Sequence, residues 1–360
     1  MPARDLRIPQ GTEAFYLEAA YVHRRLVRAF EDVCDSWAYF PVHTPVYDYY
    51  EAYRDLVDHE WDSQSYRLVD RSGELLVLRS DVTLFLARQM ALVLRREDLP
   101  IRVAYADTIL RHEELHDLSK NEFFQVGAEL IGPSGADADA ESILLLFDAL
   151  DRWGAADVVV HVGHRGIIGE ARDDAAPADF ARLAQAVSHR RWDAVERLLA
   201  ARSIEGPRRA ELVRLFGFIG TEAELDELAG RLRHLTPHEI DAVSHLRHLY
   251  RVCSDLGYAE RVRIDLSEAG SRHYHSGIVF QAYAPNASAA IASGGRYDGL
   301  LSHFGFDAPS VGFSVMLRRL QALLHTPDRL PAVATPSDAD IVTRARAARD
   351  MRRDGRVVSL

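Results

Sequence analysis

The stretch 101–132, IRVAYADTILRHEELHDLSKNEFFQVGAELIG, restricts the fold more than any other part of the chain. Residues 103–110 form an apolar-rich run that ends on Arg111-His112-Glu113. A polar loop with Asp117, Ser119 and Asn121 follows, and residues 123–131 read as a return strand. Side chains two apart on a strand share a face, so Arg111 and Glu113 point one way, and Gln125, Gly127 and Glu129 share a face of their own. If the two faces coincide, one sheet surface collects an arginine, two glutamates and a glutamine. The arginine suits a phosphate or carboxylate; the carboxylates suit an amine or an imidazole N–H. A hairpin with a solvated outer face would show the same pattern, so the flanking chain has to decide.

The 360 residues suffice for one large core or two domains. Hydrophobic residues at 48% and charged residues at 27% are ordinary for a soluble globular protein. Two cysteines, Cys34 and Cys253, make neither a disulfide framework nor a metal cluster, which fits a reducing cytosol. No signal peptide and no membrane-spanning run is read, so the expected location is cytoplasmic. A net charge of −11 argues against a large phosphate-binding surface. Lys120 is the only lysine, so single arginines carry less information than usual.

Along the chain, residues 13–37 carry Leu17, Tyr21, Leu26, Phe30 and Val33 at helical spacing and run into Tyr39-Phe40-Pro41. Residues 66–70 and 74–79 read as a hairpin around Arg71-Ser72-Gly73. Ser80 or Asp81 then caps a helix over 84–94. A second helix is expected over 139–153 and a buried strand over 156–162. His161 and His164 lack cysteine or carboxylate partners at ligand spacing, so no metal site is expected. From 173 to 261 the pattern is helical, in pieces 179–201, 207–216, 221–235 and 237–256, with a Thr221/Glu224 capping box. Strands follow at 262–266 and around Val279-Phe280, then Gly294-Gly295-Arg296-Tyr297-Asp298-Gly299-Leu300 and Val311-Gly312-Phe313 before a helix holding Arg318 and Arg319.

These motifs, in this order, resemble class II aminoacyl-tRNA synthetases, and within them the histidyl-tRNA synthetase branch, from about residue 7 to 324. The resemblance implies an α+β fold, an antiparallel sheet flanked by helices with a helical insertion. It divides the chain into a first core part (1–172), the insertion (173–261), a second core part (262–324) and a linker with a short C-terminal extension (325–360), a remnant of an anticodon-binding-like domain. The first class II motif, at the helix and strand of residues 13–45, builds the dimer interface in that family. Carried over position by position, Asp81, Thr83, Arg111, Gln125, Glu129 and Tyr274 form a candidate histidine pocket, and Arg111, Glu113 and Arg319 the remnant of a nucleotide pocket.

One departure matters most. Aligned on Val279-Phe280, the place of the activating arginine falls on Gly270, with Arg272 two residues away and about 6–7 Å along the strand. A preorganised cation of that kind is typically worth a rate factor on the order of a hundred to a thousand. Loss of this arginine together with the tRNA-reading domain resembles the regulatory-subunit family of ATP phosphoribosyltransferase. That resemblance implies no catalytic residue and no cofactor. It also implies a homodimer within a hetero-oligomer, a short-form catalytic subunit as partner, histidine as effector, and neither tRNA nor membrane as ligand.

Overall fold

The computed structural model describes residues 11–12, 14–56, 59–112, 121–171, 177–204, 206–268, 274–285, 287, 289–324, 333–334, 340–354 and 358–359. The first core part holds α1 (Leu17–Ser36), β1 (Phe40–Pro41), β2 (Tyr47–Tyr49), α2 (His59–Gln64), β3 (Arg67–Val69), β4 (Leu75–Leu78), α3 (Val82–Val93), β5 (Ile101–Leu110), β6 (Glu122–Ile131), α4 (Ala136–Arg152) and β7 (Val159–His164). The insertion holds α5 (Pro177–Ser188), α6 (Trp192–Ala201), α7 (Gly206–Phe216), β8 (Ile219–Gly220), α8 (Glu222–Arg231) and α9 (Pro237–Asp255). Then come β9 (Val262–Asp265), β10 (Ile278–Tyr283), β11 (Ala292–Arg296), α10 (Leu300–His303), β12 (Ser310–Met316) and α11 (Leu317–Gln321). A small parallel pair, β13 (Val333–Ala334) and β14 (Val358–Ser359), flanks α12 (Ile341–Arg353).

Nine strands form one sheet in the order β1-β5-β6-β12-β11-β10-β7-β9-β8, and β2-β4-β3 form a second. The expected antiparallel sheet is in fact mixed: β1 pairs with β5 and β7 with β9 in parallel. Parallel neighbours need a crossover. Between β7 and β9 that crossover is the helical insertion itself, and its two-residue β8 pairs antiparallel with β9 at the sheet edge. The insertion is therefore tied into the sheet, where the sequence pattern shows helix only.

The two sheet faces bury different cores. Val126, Ala128, Leu130, Val160, Val162, Phe280 and Phe313 pack under α1, α4 and α9. Val103, Tyr105, Ile109 and Ile131 face the other way, against Val77 of β4, the Val82–Ala87 side of α3 and Leu300-Leu301. Alternation along β5 and β6 sorts these sets, since each ten-residue strand sends odd and even positions to opposite layers.

One helix departs from expectation. The sequence reads as one helical piece over 179–201, yet the chain breaks at residues 189–191 into α5 and α6, with Arg190 at φ +53. That turn lets the Arg190 guanidinium reach the fully buried Asp265 at 2.9 Å.

Candidate functional site

On the face covered by α3, a small cleft opens, lined by residues that include Asp81, Thr83, Glu129, Tyr274, Ser293 and Tyr297. Its floor exists because the sequence puts glycine and serine in register across the sheet. Glu129 lies opposite Gly312, Gly312 opposite Gly295, and Gly295 opposite Val279. In the neighbouring row Gly127 lies opposite Ser314 and Ser314 opposite Ser293. A Cβ on Gly312 would sit 1.6 Å from Glu129 Oε2, and one on Gly127 would sit 2.3 Å from the Tyr105 hydroxyl. These close approaches, rather than backbone conformation, demand glycine.

Glu129 is 1% exposed. Thr83 Oγ1 stands 2.7 Å from its Oε1, and the Tyr297 hydroxyl bonds its Oε2. Burial pushes this carboxyl up to about 8; the Tyr297 and Thr83 hydroxyls pull it down, and nearby Asp81 pushes it up again. Asp81 caps α3 by accepting from the Leu84 N–H at 3.4 Å, as its position before the helix predicts, and it also accepts from the Tyr274 hydroxyl at 3.4 Å. Its helix start thus places Asp81 and Thr83 at the mouth of the cleft.

The remaining candidates fall differently. Gln125 shares the face of Glu129 and is 2% exposed, with Nε2 at 3.7 Å from Met316 Sδ; it is not among the cleft-lining residues. Arg111 stands past the end of β5 and donates to the Ser80 carbonyl at 3.1 Å. Arg319 donates to the Ala290 carbonyl at 2.8 Å, in the β10–β11 connection. The cleft wall therefore receives Asp81, Thr83, Glu129 and Tyr274 from the predicted set, while Gln125, Arg111 and Arg319 lie outside it. Glu113, Gly270 and Arg272 lie outside the described residues.

Sequence reasoning missed Tyr297 as the partner of Glu129, and it missed what Arg296 does. Arg296 donates Nε to Asp139 Oδ1 at 2.8 Å and Nη1 to Asp298 Oδ1 at 2.9 Å, with Nη2 2.6 Å from Asp139. Burial would depress the guanidinium, but Asp139 and Asp298 outweigh that and hold it above its usual value. The Gly-Gly-Arg-Tyr-Asp run thus builds the sheet, locks the first turn of α4 and delivers one tyrosine to the cleft. Its signal was the motif's specificity, not its spacing. His161 pairs with Asp265 at 2.8 Å, while His164 is pushed down to about 4 by burial, with His245 adding to the shift. Among the described residues no group of three His, Cys, Asp or Glu is placed to hold a metal.

A mostly antiparallel sheet with a carboxyl-lined, glycine-floored cleft between the Asp81 helix start and the Gly294-Gly295-Arg296-Tyr297 strand defines a class II synthetase core of the histidyl type. The family model described as histidyl-tRNA synthetase matches residues 11–320. An ATP phosphoribosyltransferase regulatory subunit from Desulfitobacterium hafniense (strain Y51) is 32% identical over 359 residues, 99% of this chain and 91% of the relative. One from Bacillus subtilis (strain 168) is 34% identical over 312 residues, 85% of this chain and 78% of the relative. A crystal structure described as an ATP phosphoribosyltransferase regulatory subunit/histidyl-tRNA synthetase from Bacillus halodurans C superposes with a TM-score of 0.85 at 28% identity, covering 99% and 92% of the two chains. The chain belongs to the family of ATP phosphoribosyltransferase regulatory subunits.

Proposed function

We propose that this chain is the non-catalytic regulatory subunit of a short-form ATP phosphoribosyltransferase, at the first step of histidine biosynthesis. It is required by a separate catalytic subunit and relays histidine feedback to it. The carrying observation is correspondence along 99% of the chain with a relative bearing that name. The reading that amino-acid activation is lost rests on Gly270 in the place of the activating arginine. The described lining of the cleft offers two carboxyls, hydroxyls, the His275 imidazole and glycine backbone. Acyl-phosphate chemistry needs a fixed cation beside the reacting oxygens. Histidine, by contrast, brings an ammonium and an imidazole N–H, which suit two carboxyls. Histidine acts by binding one state of the assembly better than the other.

The chain works as a homodimer within the hetero-oligomer, in the cytoplasm and without tRNA. Phe40 on edge strand β1 is 67% exposed, which fits a covered edge, and no described helix is long and apolar enough to cross a membrane. Adding the purified chain to the short catalytic subunit raises phosphoribosyl transfer severalfold, and histidine reverses the gain; no gain on mixing rejects the reading. The chain alone shows no histidine-dependent ATP–pyrophosphate exchange; measurable exchange would instead identify an active synthetase using Arg272.

Gly312→Ala tests the location of the histidine site. The new methyl group displaces the Glu129 carboxyl, so histidine affinity falls on the order of a hundredfold, about 2.7 kcal/mol, in calorimetry at matched folded fraction. Unchanged affinity would remove this cleft as the site.

A further inference from the structure

We infer that Arg190 is a latch through which the helical insertion senses whether the cleft is occupied. The inference rests on histidine occupying that cleft. Arg190 follows α5 in a left-handed turn, φ +53, with its N–H on the Val187 carbonyl at 2.8 Å and the Arg191 N–H on the Ala186 carbonyl at 2.9 Å. This pattern ends many helices, and its left-handed residue is usually glycine, because a Cβ is strained there. What an arginine adds at such a position is reach. Its Nη2 donates to Asp265 Oδ2 at 2.9 Å, from a side chain 48% exposed to one that is 0% exposed. A residue held in a strained backbone region persists only where its surroundings hold it.

Asp265 begins a turn that the core also grips. His161 Nδ1 stands 2.8 Å from its Oδ2, and Ser267 Oγ donates to its Oδ1 at 2.6 Å. Burial would raise the Asp265 carboxyl, but His161, Ser267 and Arg190 hold it below its usual value. Three residues on, Glu268 accepts from Gln281 Nε2 at 2.7 Å and from the Tyr283 hydroxyl at 2.9 Å. The turn is seated on Gly163, where a Cβ would lie 2.2 Å from the Glu268 carbonyl oxygen and 2.6 Å from that of Asp265. Gly163 lies opposite Val279, Val279 opposite Gly295, Gly295 opposite Gly312, and Gly312 opposite Glu129. One row across the sheet, about 19 Å long at the usual strand spacing, thus joins the turn to the cleft floor. Tyr274, further along the chain from Glu268, lines the cleft and donates to Asp81. The turn therefore meets the cleft twice, through the sheet and along the chain. The insertion reaches the turn through β8, paired with β9, and through the Arg190 side chain; the second can release without breaking the sheet. The latched arrangement binds histidine better, so filling the cleft tightens the Arg190–Asp265 pair, and breaking the pair weakens histidine binding by the same factor.

Amide exchange of the whole chain, read by mass spectrometry with and without saturating histidine, tests the latch. In wild type, histidine slows exchange about tenfold both in the cleft, over 81–87 and 125–131, and across the α5–α6 turn, over 184–192. Arg190→Gly keeps the turn, since glycine suits its φ. In that variant histidine still slows the cleft segments, no longer slows 184–192, and binds about fivefold more weakly in calorimetry. Arg190→Lys, which keeps the charge, restores part of both effects. If Arg190 only held the fold together, Arg190→Gly would speed exchange over 184–192 alike with and without histidine and leave their ratio as in wild type. That unchanged ratio, or a wild type in which histidine protects the cleft and not the turn, overturns this inference and leaves the histidine site standing. Absence of protection in both places removes the histidine site, and the latch with it.

Discussion

Arg296→Met lowers the unfolding free energy by on the order of 3–5 kcal/mol, the usual cost of leaving a buried charge without its partner. Asp139 is 0% exposed and Arg296 is 5% exposed, and the two are separated by 157 positions in sequence. The pair joins the first turn of α4 to the end of β11, so it closes the layer between the helices and the sheet. Without the guanidinium, Asp139 faces His245 Nε2 at 3.0 Å across the same cavity. The double variant Arg296→Met with Asp139→Leu recovers most of the stability, because a buried ion pair and an apolar pair of similar volume are often close in energy. Urea unfolding of wild type and the two variants measures this. A single-variant loss under about 1 kcal/mol would show that the pair does not hold the layers.

Residues that act through local geometry were legible in the sequence. The alternation in β5 and β6 put Gln125, Gly127 and Glu129 on one face, and the register with Tyr105 and Asp107 shows that β5 sends its odd residues to that face too. Asp81 reads as a helix cap because a carboxyl before an apolar helix satisfies free N–H groups, and it does so. The Thr221/Glu224 capping box starts α8 as its spacing requires. The glycine-floored cleft was not legible. Gly295 and Gly312 become neighbours only once β11 and β12 pair, and nothing in either segment announces the register.

Long-range charge pairs were equally hidden. The break at Arg190 follows no glycine or proline; its physical counterpart is a carboxyl 75 positions away. Arg111 and Arg319 match the class II pattern by position, but position does not say what a guanidinium bonds. Each takes a backbone carbonyl, one at the start of α3 and one in the β10–β11 connection. The start of α4 moved three residues ahead of the expected Asp139 because Gly135, at φ +95, turns the chain into the helix earlier.

Glu129→Gln abolishes a pH dependence of stability that wild type carries between about pH 5 and 8. The unfolded carboxyl titrates near the usual glutamate value of about 4.3. The folded one is held up to about 8, chiefly by burial. Below the lower value both states hold the proton, and there is no difference between them. Between the two values the folded state keeps the proton and the unfolded state gives it up, so wild-type stability falls as pH rises, by at most about 1.4 kcal/mol per unit. Above the upper value the slope ends, with the full penalty in place. Glutamine is close in shape and never ionises, so it carries no such slope. Subtracting the wild-type stability from that of Glu129→Gln cancels groups common to both, including His164, whose lowered value makes stability rise with pH over roughly 4 to 6.5. The difference curve therefore climbs from pH 5 to 8 by several kcal/mol in favour of the variant, as read by urea midpoints at half-unit pH steps. A flat difference curve would mean that Glu129 sits in the folded protein as a carboxylate with a cation or water beside it.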